Sequence, residues 1–197
     1  YINFSSGAIF GQTIRSPISE LSQASINVNK LNEGSYYAIS KIYAEIKHRN
    51  LKNMNIVDLR IFSFFSRFIN LQDKFLIADI TNAIKSNKKF TTDKNEIIRD
   101  YIHPEDLFEI IQKCIKKEKI NMALDISSKK PISKFSLLKH LAKKYELNYR
   151  ISNKIKTSPT GLKSKYYSKS KKIEDLGIFP KYTSLQTILT ELKFLID

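Results

Sequence analysis

Apolar and polar positions alternate along this chain in a way that predicts short strands interleaved with amphipathic helices. Residues 1 to 4 read as a buried strand running directly into Ser5 and Ser6, and the loop after them is closed by Gly7 and Gly11. A buried strand ending in hydroxyls and a glycine-bounded loop delivers polar side chains to its carboxyl end. From 12 to 32 no period survives, and Pro17 with scattered Ser and Asn predicts an irregular surface segment. A helix is predicted from 35 to about 48, then a buried strand over 55–62, rich in β-branched and aromatic residues. Phe75, Leu76, Ile80, Ala83 and Ile84 recur at helical spacing and predict an amphipathic helix ending near Ser86. The stretch from 87 to 98 reads as polar connection. A helix over 107–117 follows, with Asp106 at its start to complement the N-terminal dipole. A strand is predicted over 122–127 and a helix over 133–145 that is capped by Ser133, with Phe135, Leu137, Leu138, Leu141 and Ala142 on its apolar face. A strand at 149–151 and a helix at 184–196 complete the pattern.

Composition narrows the class. The chain has 197 residues, of which 42% are hydrophobic, enough for a substantial core. Its single cysteine, Cys114, excludes an internal disulfide and sits in an apolar run, as a buried structural thiol would. No apolar run approaches the roughly 18 residues of a membrane span, so a soluble, cytoplasmic protein is expected and no membrane partner. The formal charge of +15 raises the possibility of a nucleic-acid module. Lysines occur in every segment, however, without a nucleic-acid motif, so no nucleic-acid partner is expected. The densest run, 154–172, can face solvent or an anionic ligand.

The candidate chemistry centres on Tyr37 and Lys41. Four residues apart on a helix, they share a face, so a phenol and an ammonium can enter one pocket. A neighbouring cation favours the phenolate and brings a Tyr within range of proton exchange with a substrate hydroxyl. The same spacing arises by chance in many helices, and a buried aromatic beside a solvated Lys is the competing reading. His103 has no ligand-spaced Cys or carboxylate around it, so it is read as structural, with no metal site.

Three ordered segments resemble the extended short-chain dehydrogenase/reductase family, in particular its NAD-dependent nucleotide-sugar epimerases and dehydratases. Ser5-Ser6-Gly7-Ala8-Ile9-Phe10-Gly11 is similar to the family's Ser-Ser/Thr-x-x-x-Tyr-Gly, with Phe10 in place of Tyr. Tyr37-x-x-x-Lys41 follows, and Arg99-Asp100-Tyr101-Ile102-His103-Pro104-Glu105-Asp106-Leu107 resembles Arg-Asp-Tyr-Ile-His-Val-x-Asp-Leu. The resemblance implies an α/β fold with a partial Rossmann-like parallel sheet and a small α/β substrate-binding lobe. The five glycines, Gly7, Gly11, Gly34, Gly161 and Gly177, never take the Gly-x-x-Gly-x-x-Gly spacing that lets a pyrophosphate approach a helix start. The N-terminal βαβ units are therefore expected to be missing. Residues 1–62 would be the C-terminal part of the core, carrying the Ser/Tyr/Lys site. Residues 63–197 would be mostly substrate lobe, with some segments returning to the core.

By the same resemblance Tyr37, Lys41 and Ser6 are catalytic, and Lys41 and Tyr37 also contact the cofactor, NAD or NADP in the intact enzyme and none on this fragment. Arg99 would hold the diphosphate of a nucleotide-diphosphate sugar through paired guanidinium hydrogen bonds. Ser63 stands where the family has Asn at the substrate loop. The family's second phosphate-binding Arg has no counterpart after Arg150, which leaves Lys163 or Lys165 as substitutes. A dehydratase would carry an Asp-Glu pair after Ser6; the residues there are Gly7 and Ala8. A fragment of a 4-epimerase is therefore expected, with a 4-keto reductase or a truncated, non-catalytic remnant as alternatives. The first strand would lie at a sheet edge, which invites a homodimer.

Overall fold

The computed structural model describes residues 1–153 and 163–196. Strand β1 (Ile2–Ser6) passes into one turn of 3-10 helix (Gly7–Phe10), which Gly11 ends at φ +98, a backbone setting that favours glycine. Helix α1 (Glu33–Asn50) starts on a capping box: Asn32 Oδ1 accepts the Ser35 N–H at 3.2 Å, and Ser35 Oγ accepts the Asn32 N–H at 3.2 Å. Then come β2 (Ile56–Ile61), β3 (Ser63–Phe64), α2 (Leu76–Lys85), β4 (Phe90–Asp93), β5 (Ile98–Arg99) and β6 (Tyr101–Ile102). After α3 (Pro104–Ile115) the chain forms β7 (Asn121–Ile126), β8 (Ile132–Ser133), α4 (Lys134–Tyr145) and β9 (Tyr149–Ser152). It continues through β10 (Lys165–Tyr166), α5 (Lys172–Asp175) and α6 (Ser184–Ile196). Among the described residues no helix is long and apolar enough to cross a membrane.

The principal sheet is parallel, in the order β1-β2-β7, with Ile2 opposite Val57 and Val57 opposite Met122. Val57, Leu59, Leu124 and Ile126 pack against Leu107, Ile110 and Cys114 of α3 and against Ile173 and Ile178. This is the α/β arrangement of a partial Rossmann-like sheet. A second apolar cluster joins α2, α4 and α6 through Ile80, Leu137, Leu138, Leu141, Ile188 and Leu192. Small pairings serve this region: β3 with β6, β4 with β9, and the order β10-β5-β8. β1 is an edge strand. The Val57 N–H donates to the Tyr1 carbonyl at 3.0 Å, so by alternation the peptide groups of Tyr1, Asn3 and Ser5 face β2 and those of Ile2, Phe4 and Ser6 face outward.

Several sequence expectations are corrected. The polar stretch after α2 contains β4, whose buried Asp93 meets the buried Lys134 ammonium of α4 at 3.1 Å. A partner 41 residues away thus makes a polar strand tolerable inside the protein. Helix α3 begins earlier than expected and is capped by His103, whose Nδ1 accepts the Glu105 N–H at 3.1 Å. Asp106 stands in the first turn of α3, where a carboxylate complements the dipole as expected, and also accepts the backbone N–H groups of Lys181 and Tyr182, tying α3 to the approach to α6. Phe75 lies before α2 and is half exposed, and the buried face runs through Ile77, Ala78, Ile80 and Thr81. Ile14 and Ile18 anchor the irregular 12–32 segment by isolated bridges to Lys163 and Ser168, and both are buried. Of the lysine-rich run 154–172, residues 154–162 lie outside the described residues.

Candidate active site

The site is assembled where β1 ends. Ser5 and Ser6 leave the strand on opposite faces because side chains alternate. Ser5 donates to Glu45 Oε1 of α1 at 2.5 Å, and the buried Glu45 carboxylate accepts the Arg60 guanidinium at 2.6 to 3.1 Å. Arg60 also reaches Asp125 at 3.3 Å, and Asp125 accepts the Ser168 hydroxyl at 2.7 Å. This chain of charges fixes α1 on the sheet and so sets where Tyr37 and Lys41 stand. Behind it, Asp58 of β2 accepts Arg49 at 2.6 Å, Asn3 at 2.7 Å and His48 at 2.8 Å.

Ser6 caps the 3-10 turn, its Oγ accepting the Ala8 N–H at 3.2 Å. Its other neighbour is the hydroxyl of Tyr166, 3.4 Å away. Tyr166 lies on β10 beside Arg99 of β5 and is 7% exposed. The Phe62 ring meets it edge-on at 5.1 Å, and Phe10 stacks on Phe62 at 6.4 Å. Gly7 is required by this packing, since a Cβ there would lie 2.5 Å from the Phe62 ring. Lys163 Nζ sits 4.5 Å from the centre of the Tyr166 ring, and the Arg99 guanidinium 5.7 Å. Arg99 Nη1 donates to the Ile98 carbonyl at 3.0 Å and to the Lys163 carbonyl at 2.7 Å.

The electrostatics follow from this crowding. Burial pushes the Tyr166 phenol up to about 12, and the charge of nearby Tyr37 adds to the rise. Burial lowers the Arg99 guanidinium from its ordinary value. Burial, with Arg99 beside it, brings the Lys163 ammonium down to about 8. Among the described residues no carboxylate is among the charges acting on either cation. Two cations side by side and partly desolvated each raise the cost of the other's charge.

Of the residues singled out by sequence, Ser6, Arg99 and Lys163 gather around Tyr166, with Tyr37 within electrostatic reach of it. Tyr37 is 53% exposed on α1. Lys41 Nζ lies 5.5 Å from the centre of the Tyr37 ring and donates to the Phe4 carbonyl at 2.7 Å, one of the outward-facing groups of β1. Ser63 pairs in β3 opposite Tyr101 and makes no hydrogen bond to Ser6 or Arg99. Lys165 is exposed. His103 is buried and stacks on Tyr182 at 3.8 Å. Sequence reasoning missed Tyr166; an aromatic pair inside a run of lysines was the available signal.

A dinucleotide does not fit these residues as a whole. The start of α1, which carries Gly34, is closed by the Asn32–Ser35 box and by Gln12, which donates to both, and no helix start with the Gly-x-x-Gly-x-x-Gly spacing is found among the described residues.

The fold is that of an α/β protein in which Ser6 and Tyr166 meet at the carboxyl end of a strand of a parallel sheet. The model of the NAD dependent epimerase/dehydratase family matches residues 1–126, and the chain belongs to that family. Among solved structures it is similar to a UDP-N-acetylglucosamine 4-epimerase from Methanobrevibacter ruminantium in complex with UDP-N-acetylmuramic acid (16% identity, TM-score 0.79, 99% of this chain and 62% of that one). It is similar also to a UDP-glucose-4-epimerase from Stenotrophomonas maltophila with bound NAD and formylated UDP-arabinopyranose (13%, 0.79, 98% and 62%). A third is RMD from Pseudomonas aeruginosa complexed with NADPH (17%, 0.77, 98% and 65%). The chain thus spans about 62 to 65% of the length of these structures. Comparison with curated proteins returns no match.

Proposed function

We propose that this chain is the Ser/Tyr/Lys-bearing and sugar-nucleotide-binding portion of an NAD- or NADP-dependent epimerase acting at C4 of a nucleotide-diphosphate sugar. The observation that carries this reading is the convergence of Ser6, Arg99 and Lys163 on Tyr166, with no carboxylate among the described residues acting on the two cations. A diphosphate supplies that missing charge, and the guanidinium can bind it through parallel hydrogen bonds. Residues 1–62 carry the Ser/Tyr/Lys end, and the rest mostly forms the sugar-nucleotide lobe. Tyr37 takes the proton of the sugar 4-hydroxyl and Ser6 holds the same oxygen. Lys41, once drawn from the Phe4 carbonyl, brings a cation to the face of α1 that carries Tyr37. Ser63 borders the substrate loop. Gly7 and Ala8 offer no acid or base for dehydration, which favours epimerisation or reduction of a keto sugar. The open edge of β1 supports a homodimer, which light scattering would detect.

The test is calorimetric titration with UDP-glucose, UDP and NAD. UDP-glucose and UDP are expected to bind and NAD is not. Because Lys163 is charged below about pH 8 and neutral above it, affinity for both ligands should fall as pH rises through 8. Lys163→Arg should remove that step. Binding that is indifferent to Arg99→Ala, or tight binding of NAD, would refute the reading.

A further inference from the structure

The hydrogen bonds around Ser6 determine the direction in which its hydroxyl acts. A hydroxyl has one proton to donate and two lone pairs to fill. One lone pair of Ser6 Oγ takes the Ala8 N–H at 3.2 Å. The Tyr166 hydroxyl approaches at 3.4 Å from a buried ring, and Ser6 Oγ is its hydrogen-bond partner in the described residues. A buried donor is rarely left unpaired, so the phenol proton is directed at Ser6. Phenol is also the stronger acid and the poorer acceptor of the two hydroxyls.

We propose that Tyr166 is a positioning residue: its O–H donates to Ser6 Oγ, fills the second lone pair, and leaves Ser6 able only to donate toward a substrate oxygen. This rests on the reading of Ser6 as a contact to the sugar oxygen. A Ser6 hydroxyl held in this way cannot receive the sugar's proton, which leaves Tyr37 as the acceptor. It does stabilise the oxygen as negative charge or carbonyl character develops there, as a preorganised donor does. The arrangement persists over the ordinary pH range because the Tyr166 phenol stays protonated to about 12. Burial is the largest cause of that rise and outweighs the Ser6 hydrogen bond and Arg99, which act against it. The work divides between the two residues: Tyr37 moves the proton and Ser6 holds the oxygen.

Two measurements test the assignment on the chain as it stands. Tyr166→Phe keeps the ring against Phe62 and removes only the donor. The Raman difference between the wild-type chain and Tyr166→Phe isolates the ring doublet of this one among ten tyrosines, a doublet whose intensities differ for donating and accepting phenols. A donor-type doublet that is lost in Ser6→Ala is expected; an acceptor-type doublet overturns the proposal. In calorimetry, Tyr166→Phe is expected to weaken UDP-glucose by about three- to tenfold, the worth of one hydrogen bond, and to leave UDP unchanged. An equal loss on both ligands, or no loss on either, overturns the positioning role. Should neither ligand bind the wild-type chain, the functional reading fails, and the Raman result still decides the direction of the hydrogen bond.

Discussion

Asp58→Asn is the sharpest test of how α1 is held to the sheet. Asp58 lies on the central strand β2 with 0% of its surface exposed, and it is the anion for Arg49 at 2.6 Å, with His48 at 2.8 Å and Asn3 at 2.7 Å also on its oxygens. The substitution keeps the volume and removes the charge. Arg49 is poorly placed to tolerate that, because its Nε and Nη1 are already buried without partners and burial already pulls its guanidinium below the ordinary value. Asp58 is fully buried but the Arg49 side chain is 33% exposed, so removing the charge costs about 1 to 3 kcal/mol, mostly as the penalty of the donors left behind. At roughly 2 to 4 °C per kcal/mol for a chain of this size, Tm should drop by roughly 2 to 12 °C. Circular dichroism on heating reads this directly. Adding Arg49→Met removes the orphaned cation and is expected to restore most of the loss. A drop below about 1 kcal/mol, or a double variant no better than the single one, would refute the reasoning.

Two further outcomes follow from buried groups near the site. Asp100 accepts the Ser128 N–H and the Ser184 hydroxyl on Oδ1, its Oδ2 has no partner, and burial pushes it up from 3.8 to about 6. The folded chain therefore holds this proton more tightly than the unfolded one, and the stability it contributes is complete below about pH 4 and lost as pH rises through 6. Asp100→Asn should flatten that part of the profile, and its gain over the wild type at neutral pH should stay below about 3 kcal/mol because the new amide N–H groups replace an oxygen that has no partner, as measured by urea unfolding across pH. Gly7→Ala drives a methyl into the Phe62 ring and should cost about 1 to 3 kcal/mol in the same assay. A neutral result would mean that the ring has free space to move.

What the sequence made legible was whatever its own neighbours determine. Helix α4 is readable because Ser133 caps it and Leu137, Leu138 and Leu141 follow at helical spacing, and β2 and β7 are readable as dense apolar runs. Strand β4 was opaque because Lys134, which makes its buried Asp93 acceptable, is supplied from another element. The cap of α3 was misassigned because a histidine does the work usually given to a carboxylate or hydroxyl, and Asp106 has a distant use. At the site, the spacing of Tyr37 and Lys41 and the Ser5-Ser6 pair were visible. Tyr166 was not, since its meaning comes from a serine 160 residues away. The turn of Lys41 toward the Phe4 carbonyl was equally invisible, because it depends on which peptide groups face the free edge of β1.

The strap around Tyr166 has a consequence for how the chain comes into being. Ile14 bridges Lys163, Ile18 bridges Ser168, and Ser6 meets Tyr166, each across about 150 positions. During synthesis Ser6, Tyr37 and Lys41 leave the ribosome well before the wall that meets Ser6. At roughly 5 to 20 residues per second, the early segment waits on the order of ten seconds or more for its counterpart. Through that interval Ile14 and Ile18 have nothing of this strap to cover them. A ribosome stalled short of Tyr166 would display the full Ser/Tyr/Lys signature on a nascent chain that lacks the assembled pocket.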